Sequence, residues 1–151
     1  MSTMTSQNVV VTLEKHQGPL SAALRLEDFA EPGGLADQLA TKWTDRRSKE
    51  QLKATQLRRF FHTIKKVERS LKGRRREDSQ ELPASVRRDL LPVMPELAYA
   101  RGRELIPNDF YLIMKTSLRP AMLETVGDFR LLVDFLTAIL AYHKLHEKVK
   151  G

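Results

Sequence analysis

The stretch GDFRLLVDFLTAILAYHKLHEK, Gly127 to Lys148, decides the fold class. Placed on a helix, Phe129, Leu132, Val133, Phe135, Leu136, Ile139 and Leu140 cover much of the circumference, as expected of a helix packed on several sides. Such a segment is the centre of a helical core and needs other helices around it. Working back along the chain, Ile106-Pro107-Asn108-Asp109 stops one helix and caps the next. Phe110, Ile113, Met114 and Ser117 then form a stripe that ends before Pro120. Pro95 suits the first turn of a preceding helix that runs to about Leu105.

The remaining segments agree with this pattern. Leu20, Ala23 and Leu24, then Leu35, Leu39 and Trp43, recur at helical spacing on either side of Glu31-Pro32-Gly33-Gly34, a break no helix continues through. Residues 1–17 read as frayed, with at best a short extended piece at Val9, Val10 and Val11. The chain has 151 residues, 41% of them apolar, enough for one domain with a core and too few to expect two. The expectation is an all-α, compact helical bundle of about five to six helices in one domain. Residues 1–45 form an N-terminal segment of uncertain order with short helices. Residues 46–151 form the bundle, with a basic helix over about 48–72 and a mobile charged loop over about 73–89.

Several function classes are excluded by composition. The absence of cysteine rules out disulfide scaffolds, thiolate metal sites and cysteine nucleophiles, and suits a reducing, cytoplasmic location. No secretory signal pattern and no apolar run of membrane-spanning length stands out, so no membrane partner is expected. There is no G-x-S-x-G, P-loop, H-E-x-x-H or Gly-rich dinucleotide turn, and nothing positive points to an enzyme. His143 and His146 are three apart, but no acid in register completes a metal site with them. Asp128, Asp134 and Glu124 read as a cap and surface charges. Neither a cofactor nor a metal is expected.

Charge is unevenly placed. Residues 46–76 hold thirteen Lys and Arg against two acids, Glu50 and Glu68, while the rest of the chain is mildly acidic. A block this dense is the footprint of a polyanion binder, because each neutralised phosphate releases condensed counterions. A solvated helix face is the plainer alternative. The core of the block is LRRFFHTIKKVERSLKGRRR, Leu57 to Arg76. Ser48 to Gln51 fits a capping box and Thr55 offers a second N-cap, while Gly73 suits the C-terminal end. At ~100° per residue, Leu57, Phe60, Phe61, Ile64, Val67 and Leu71 share one face. Arg58, His62, Lys65, Arg69 and Lys72 run beside it, and Arg59 and Lys66 lie on the far side. The row places cations about one turn apart, ~5 to 6 Å, close to the spacing of successive phosphates. The phenylalanines suit core packing better than base stacking.

Three blocks in order, TQLRRFFHTIKKVERSL at 55–71, LLPVMPELAYARGRELIPNDFY at 90–111 and DFRLLVDFLTAILAYHK at 128–144, resemble the small-subunit family of the type III-A CRISPR-Cas effector, the Csm complex. The resemblance covers about the C-terminal two thirds of the chain; the first 45 residues or so match nothing. It implies a non-catalytic helical bundle that assembles in several copies along the inner filament of a ribonucleoprotein. There the subunit lies against the backbone subunit, in a particle that also holds the large subunit, and helps hold guide RNA and its paired target RNA. Matched by position, the expected RNA-binding residues are Lys53, Arg58, Arg59, Lys65, Lys66, Arg69, Arg101 and Arg103. Arg101 also suits a partly buried pairing with an acid. Arg74, Arg75 and Arg76 lie past the expected cap and belong to no family block. The rival readings are a general single-stranded nucleic-acid binder, a protein-binding assembly factor and the small subunit of the type III-B complex.

Overall fold

Each helix can be traced to the residues that bury it. The computed structural model describes residues 4–72 and 77–150. Among them run α1 (Val9–Lys15), α2 (Leu20–Ala23), α3 (Leu26–Phe29), α4 (Leu35–Thr44), α5 (Ala54–Lys72), α6 (Ala84–Leu90), α7 (Val93–Gly102), α8 (Asn108–Ser117) and α9 (Val126–Lys150). No strand occurs among the described residues, and Glu81 and Thr125 form an isolated antiparallel bridge. The long members, α4, α5, α7, α8 and α9, make up the expected all-α bundle; of the short pieces, α2 and α3 pack on α9, α1 on α8 and α6 on α5.

The 25-residue α9 is the central pole, and α4, α5, α2 and α3 pack against it. Phe129, Leu132, Val133, Phe135, Leu136 and Ile139 are all buried. Phe135 meets Phe29 of α3 at 5.1 Å between ring centroids. On the other side of the core, Phe110 of α8 sits between Trp43 of α4, edge-on at 5.5 Å, and Phe60 of α5 at 6.0 Å. Contacts of this kind combine apolar burial with favourable ring geometry.

Buried polar groups fix the register. Asp109 accepts the Trp43 indole N–H at 2.9 Å and the Phe110 backbone N–H at 2.8 Å, and it pairs with Lys42 at 2.9 Å. Burial alone pushes the Lys42 ammonium down, but Asp109 and Glu50 outweigh it and hold the group above its ordinary range. Asp128, fully buried, caps α9 and reaches across to the Ser21 N–H of α2 at 2.9 Å. Gly127 is needed beside it. A Cβ there would lie 2.9 Å from the Asp78 Cβ and 3.1 Å from its carbonyl oxygen, and the Gly127 N–H donates to that carbonyl at 2.9 Å.

Three segments depart from the sequence expectation. Val9–Val11 lie in helix α1, because packing on α8 buries Val9 and Leu13 and overrides the strand preference of valine. The charged loop expected over 73–89 gives way to α6 at Ala84. Leu82, Val86 and Leu90, spaced four apart, are buried, and Pro83 stands immediately before the first helical residue. The basic helix begins at Ala54, not at the Ser48 box. Ser48 Oγ accepts the Glu50 N–H at 3.0 Å in a local turn, and Leu52 is drawn inward by its N–H to the Trp43 carbonyl at 3.0 Å. Thr55 lies inside the helix, and the expected cap at Gly73 lies outside the described residues with Arg74, Arg75 and Arg76.

Helix α7 stops at Gly102, short of Leu105, in a Schellman end. The Leu105 N–H reaches the Ala100 carbonyl and the Glu104 N–H the Arg101 carbonyl, both at 2.9 Å. Glu104 carries the left-handed conformation this requires, φ 59°. Glycine takes that conformation without the Cβ penalty, so Glu104→Gly is expected to stabilise the protein by about 0.5–1 kcal/mol. The check is an upward shift of the urea midpoint at unchanged m-value.

Candidate nucleic-acid interface

The 19 residues of α5 are held by one face. Leu57, Phe60, Ile64, Val67 and Leu71 are buried, and Phe61 is partly buried against the same core. This fills the phenylalanine positions with packing: Phe60 has no exposed surface on which a base could stack. The entry to α5 is strapped at both sides. Leu52 is tied to α4 through Trp43, and its carbonyl accepts a hydrogen bond from His143 of α9 at 2.6 Å. Since a carbonyl can only accept, His143 Nε2 carries the proton, and Nδ1 faces Glu147 at 3.8 Å. Lys53 then occupies the N-cap position, its carbonyl accepting from the Gln56 and Leu57 N–H groups at 3.1 Å, with its side chain exposed.

With the core face fixed, the direction of the cations follows. Arg58, Arg59, Lys66 and Arg69 are exposed, and at ~100° per residue they fall with Lys65 and His62 within an arc of about 120°. The sequence layout separated Arg59 and Lys66 from the row. Arg58, Arg59, Lys66 and Arg69 all face solvent within that arc, so the outer surface of α5 carries a basic ridge. Among the described residues Lys53, Arg58, Arg59, Lys66 and Arg69 have no ion-pair partner. The Arg59 guanidinium lies 5.9 Å from the centroid of the Phe60 ring. Lys65 differs: its ammonium is 2.8 Å from Glu68, which is 8% exposed. The other acid of the basic window, Glu50, is taken by Lys42 at 3.1 Å.

Arg101 and Arg103, the two arginines expected at the interface beyond α5, have different surroundings. Arg101 is half-buried and donates to the Ile106 carbonyl at 3.3 Å, and no ion pair to it occurs among the described residues. It shares a cavity of about 420 Å3 with Lys49, Glu50, Gln51 and Glu104, so it faces the segment that leads into α5 in a setting of mixed charge. Arg103 is exposed, donates to the Tyr99 hydroxyl at 3.1 Å and lies over the same ring at 5.7 Å. Lys144 joins this surface without any signal in the spacing of the sequence. This residue of α9 lines a cleft of about 270 Å3 with Ala54, Arg58, Leu140, His143 and Glu147. Only the crossing of α9 over the start of α5 brings it there.

The two histidines considered as a metal pair have separate partners. His143 serves Leu52, whereas His146 Nε2 meets Asp37 and lies 3.1 Å from Thr41 Oγ1. Burial pushes the Asp37 carboxyl up, but the hydrogen bonds from His146 and the Gly33 N–H outweigh it and hold it below its ordinary value. Both histidines therefore fasten the C-terminal half of α9 to α4 and its extension. Among the described residues no group of three or more His, Cys, Asp or Glu is placed to hold a metal ion.

A family model described as Csm2 Type III-A matches residues 31–149. The match reaches further toward the N-terminus than the three sequence blocks and takes in α4. No curated protein and no solved structure matches the chain.

Proposed function

The chain belongs to the Csm2 Type III-A family, the small subunits of type III-A CRISPR effector complexes, and we propose that it serves there as a non-catalytic RNA-binding subunit. In this role the exposed ridge of α5 lies along the sugar-phosphate backbone of the guide RNA and its paired target RNA. The observation that carries the proposal is a set of exposed cations without ion-pair partners among the described residues, Arg58, Arg59, Lys66 and Arg69, on a helix whose opposite face is locked into the core. Core burial fixes where the cations point, and from Arg58 to Arg69 they spread over about 16 Å of the helix axis, so a strand lying along the ridge meets several of them. Contacts of this kind position a strand without reading its bases, which suits a particle in which base pairing carries the sequence information.

Lys53 extends the ridge at its start, and Arg101 with Lys49 offers a second contact on the approach to α5. Arg103 adds diffuse attraction. The backbone and large subunits and further copies of the chain are the proposed protein partners, in the cytoplasm. Among the described residues no helix is long and apolar enough to cross a membrane. The test is purification of the tagged chain from cells that carry the other subunits and a guide array. Recovery of a short guide RNA together with a backbone subunit is the expected result, and an RNA-free protein without partners would refute the proposal.

A further inference from the structure

The basic ridge of α5 is interrupted on one side only. Helices α5 and α9 run antiparallel along their contact. Near its start α5 places Ala54 and Arg58 beside Leu140, His143 and Lys144, and in its second half Lys65 and Glu68 face Asp134. The seam between the two helices is therefore basic at one end, where Arg58 and Lys144 outnumber Glu147, and acidic at the other, where among the described side chains Glu68 and Asp134 face Lys65. Asp78 lies near the same end, but its charge is matched by Arg130 at 2.7 Å. Partial burial first, then the Glu68 charge, push the Asp134 carboxyl up, while Lys65 opposes them.

On the reading that α5 holds RNA, we infer that Glu68 and Asp134 determine the path of the phosphate strand across the helix. Glu68 is buried and cannot swing away, so it keeps the Lys65 ammonium in an ion pair 2.8 Å long and removes that cation from the ridge. Asp134 adds negative charge on the α9 side at the same level. A strand that enters along the seam at Arg58 and Lys144 meets this negative charge further along and crosses the crest of α5 to Arg59 and Lys66, about 80–100° around the helix from Arg58. The two acids are positioning residues: they touch no RNA and act by subtracting charge from one half of the surface.

The test uses the full chain, a labelled single-stranded oligouridylate and a salt titration of its affinity. Glu68→Gln frees Lys65, so the affinity is expected to rise about fivefold and the salt slope to steepen by about 0.7, the value of one added phosphate contact on a single strand. Asp134→Asn, at an exposed position, is expected to raise the affinity by a similar factor. It keeps the test open should Glu68→Gln fail to fold. Unchanged affinity and slope in both single variants, in a protein that binds the RNA, overturn the inference alone. A wild-type chain that fails to bind the RNA overturns the underlying RNA-binding reading, and the inference with it.

Discussion

Replacing Arg58, Arg59, Lys66 and Arg69 together by alanine is expected to lower RNA affinity several hundredfold at moderate salt and to leave the fold intact. Each of the four lies on the exposed arc of α5 without an ion-pair partner among the described residues. Losing four phosphate contacts should flatten the salt slope by about three units on single-stranded RNA. Exposed charges of this kind contribute within about 0.5 kcal/mol each to stability, and the ring contact of Arg59 with Phe60 adds little more. A thermal scan should therefore find the Tm nearly unchanged. Lys65→Ala alone should also lower the affinity, since it leaves the Glu68 charge unmatched beside the ridge. Equilibrium binding at several salt concentrations checks both statements.

Asp128→Ala is expected to have the largest effect on stability, a loss of about 3 kcal/mol. Its carboxylate is fully buried and accepts three hydrogen bonds: Ser21 N–H at 2.9 Å, Thr125 N–H at 2.9 Å and the Thr125 hydroxyl at 3.0 Å. Removing it strands three donors and releases the first turn of the central helix from α2. Burial pushes this carboxyl up, but the bonds from Ser21 and Thr125 outweigh it, so its pKa is held below the ordinary value. The sign follows from linkage. A carboxyl with a depressed folded-state pKa contributes stability that is fully present above the unfolded value of about 3.9 and is lost as pH falls through the folded-state pKa. Urea unfolding should show the wild-type chain losing stability below about pH 4, and the gap between wild type and Asp128→Ala narrowing over the same range.

The sequence was most informative where one helix face alone decides the structure. The α9 residues from Phe129 to Ile139, the α8 stripe and the α5 stripe all lie as their spacing predicts, because burial selects that pattern directly. It was least informative where distant segments decide. Valines 9 to 11 read as extended until α8 is seen to bury Val9. The Ser48 box carries a sound capping signal, but the pull of Trp43 and His143 on Leu52 delays the helix to Ala54. Only three apolar residues mark α6, within a charged stretch.

The candidate interface divides in the same way. Exposure of Arg58, Arg59, Lys66 and Arg69 follows from the core stripe and is legible from α5 alone. The pairing of Lys65 with Glu68 is also local, three residues apart, and was open to sequence reading. The places of Lys144 beside Arg58, Asp134 beside Glu68 and Arg101 beside Lys49 depend on how α9 and α7 cross the rest, which no spacing rule supplies. The neutralised half of the seam is for that reason a property of the fold.

The central claim is that α5 holds RNA by its outer surface. Ultraviolet crosslinking of the guide-loaded complex, followed by identification of the crosslinked peptides of this chain, tests it most directly. Crosslinks concentrated in residues 53–69 are the predicted result. Efficient crosslinks confined to other parts of the chain, with none in that span, would contradict it.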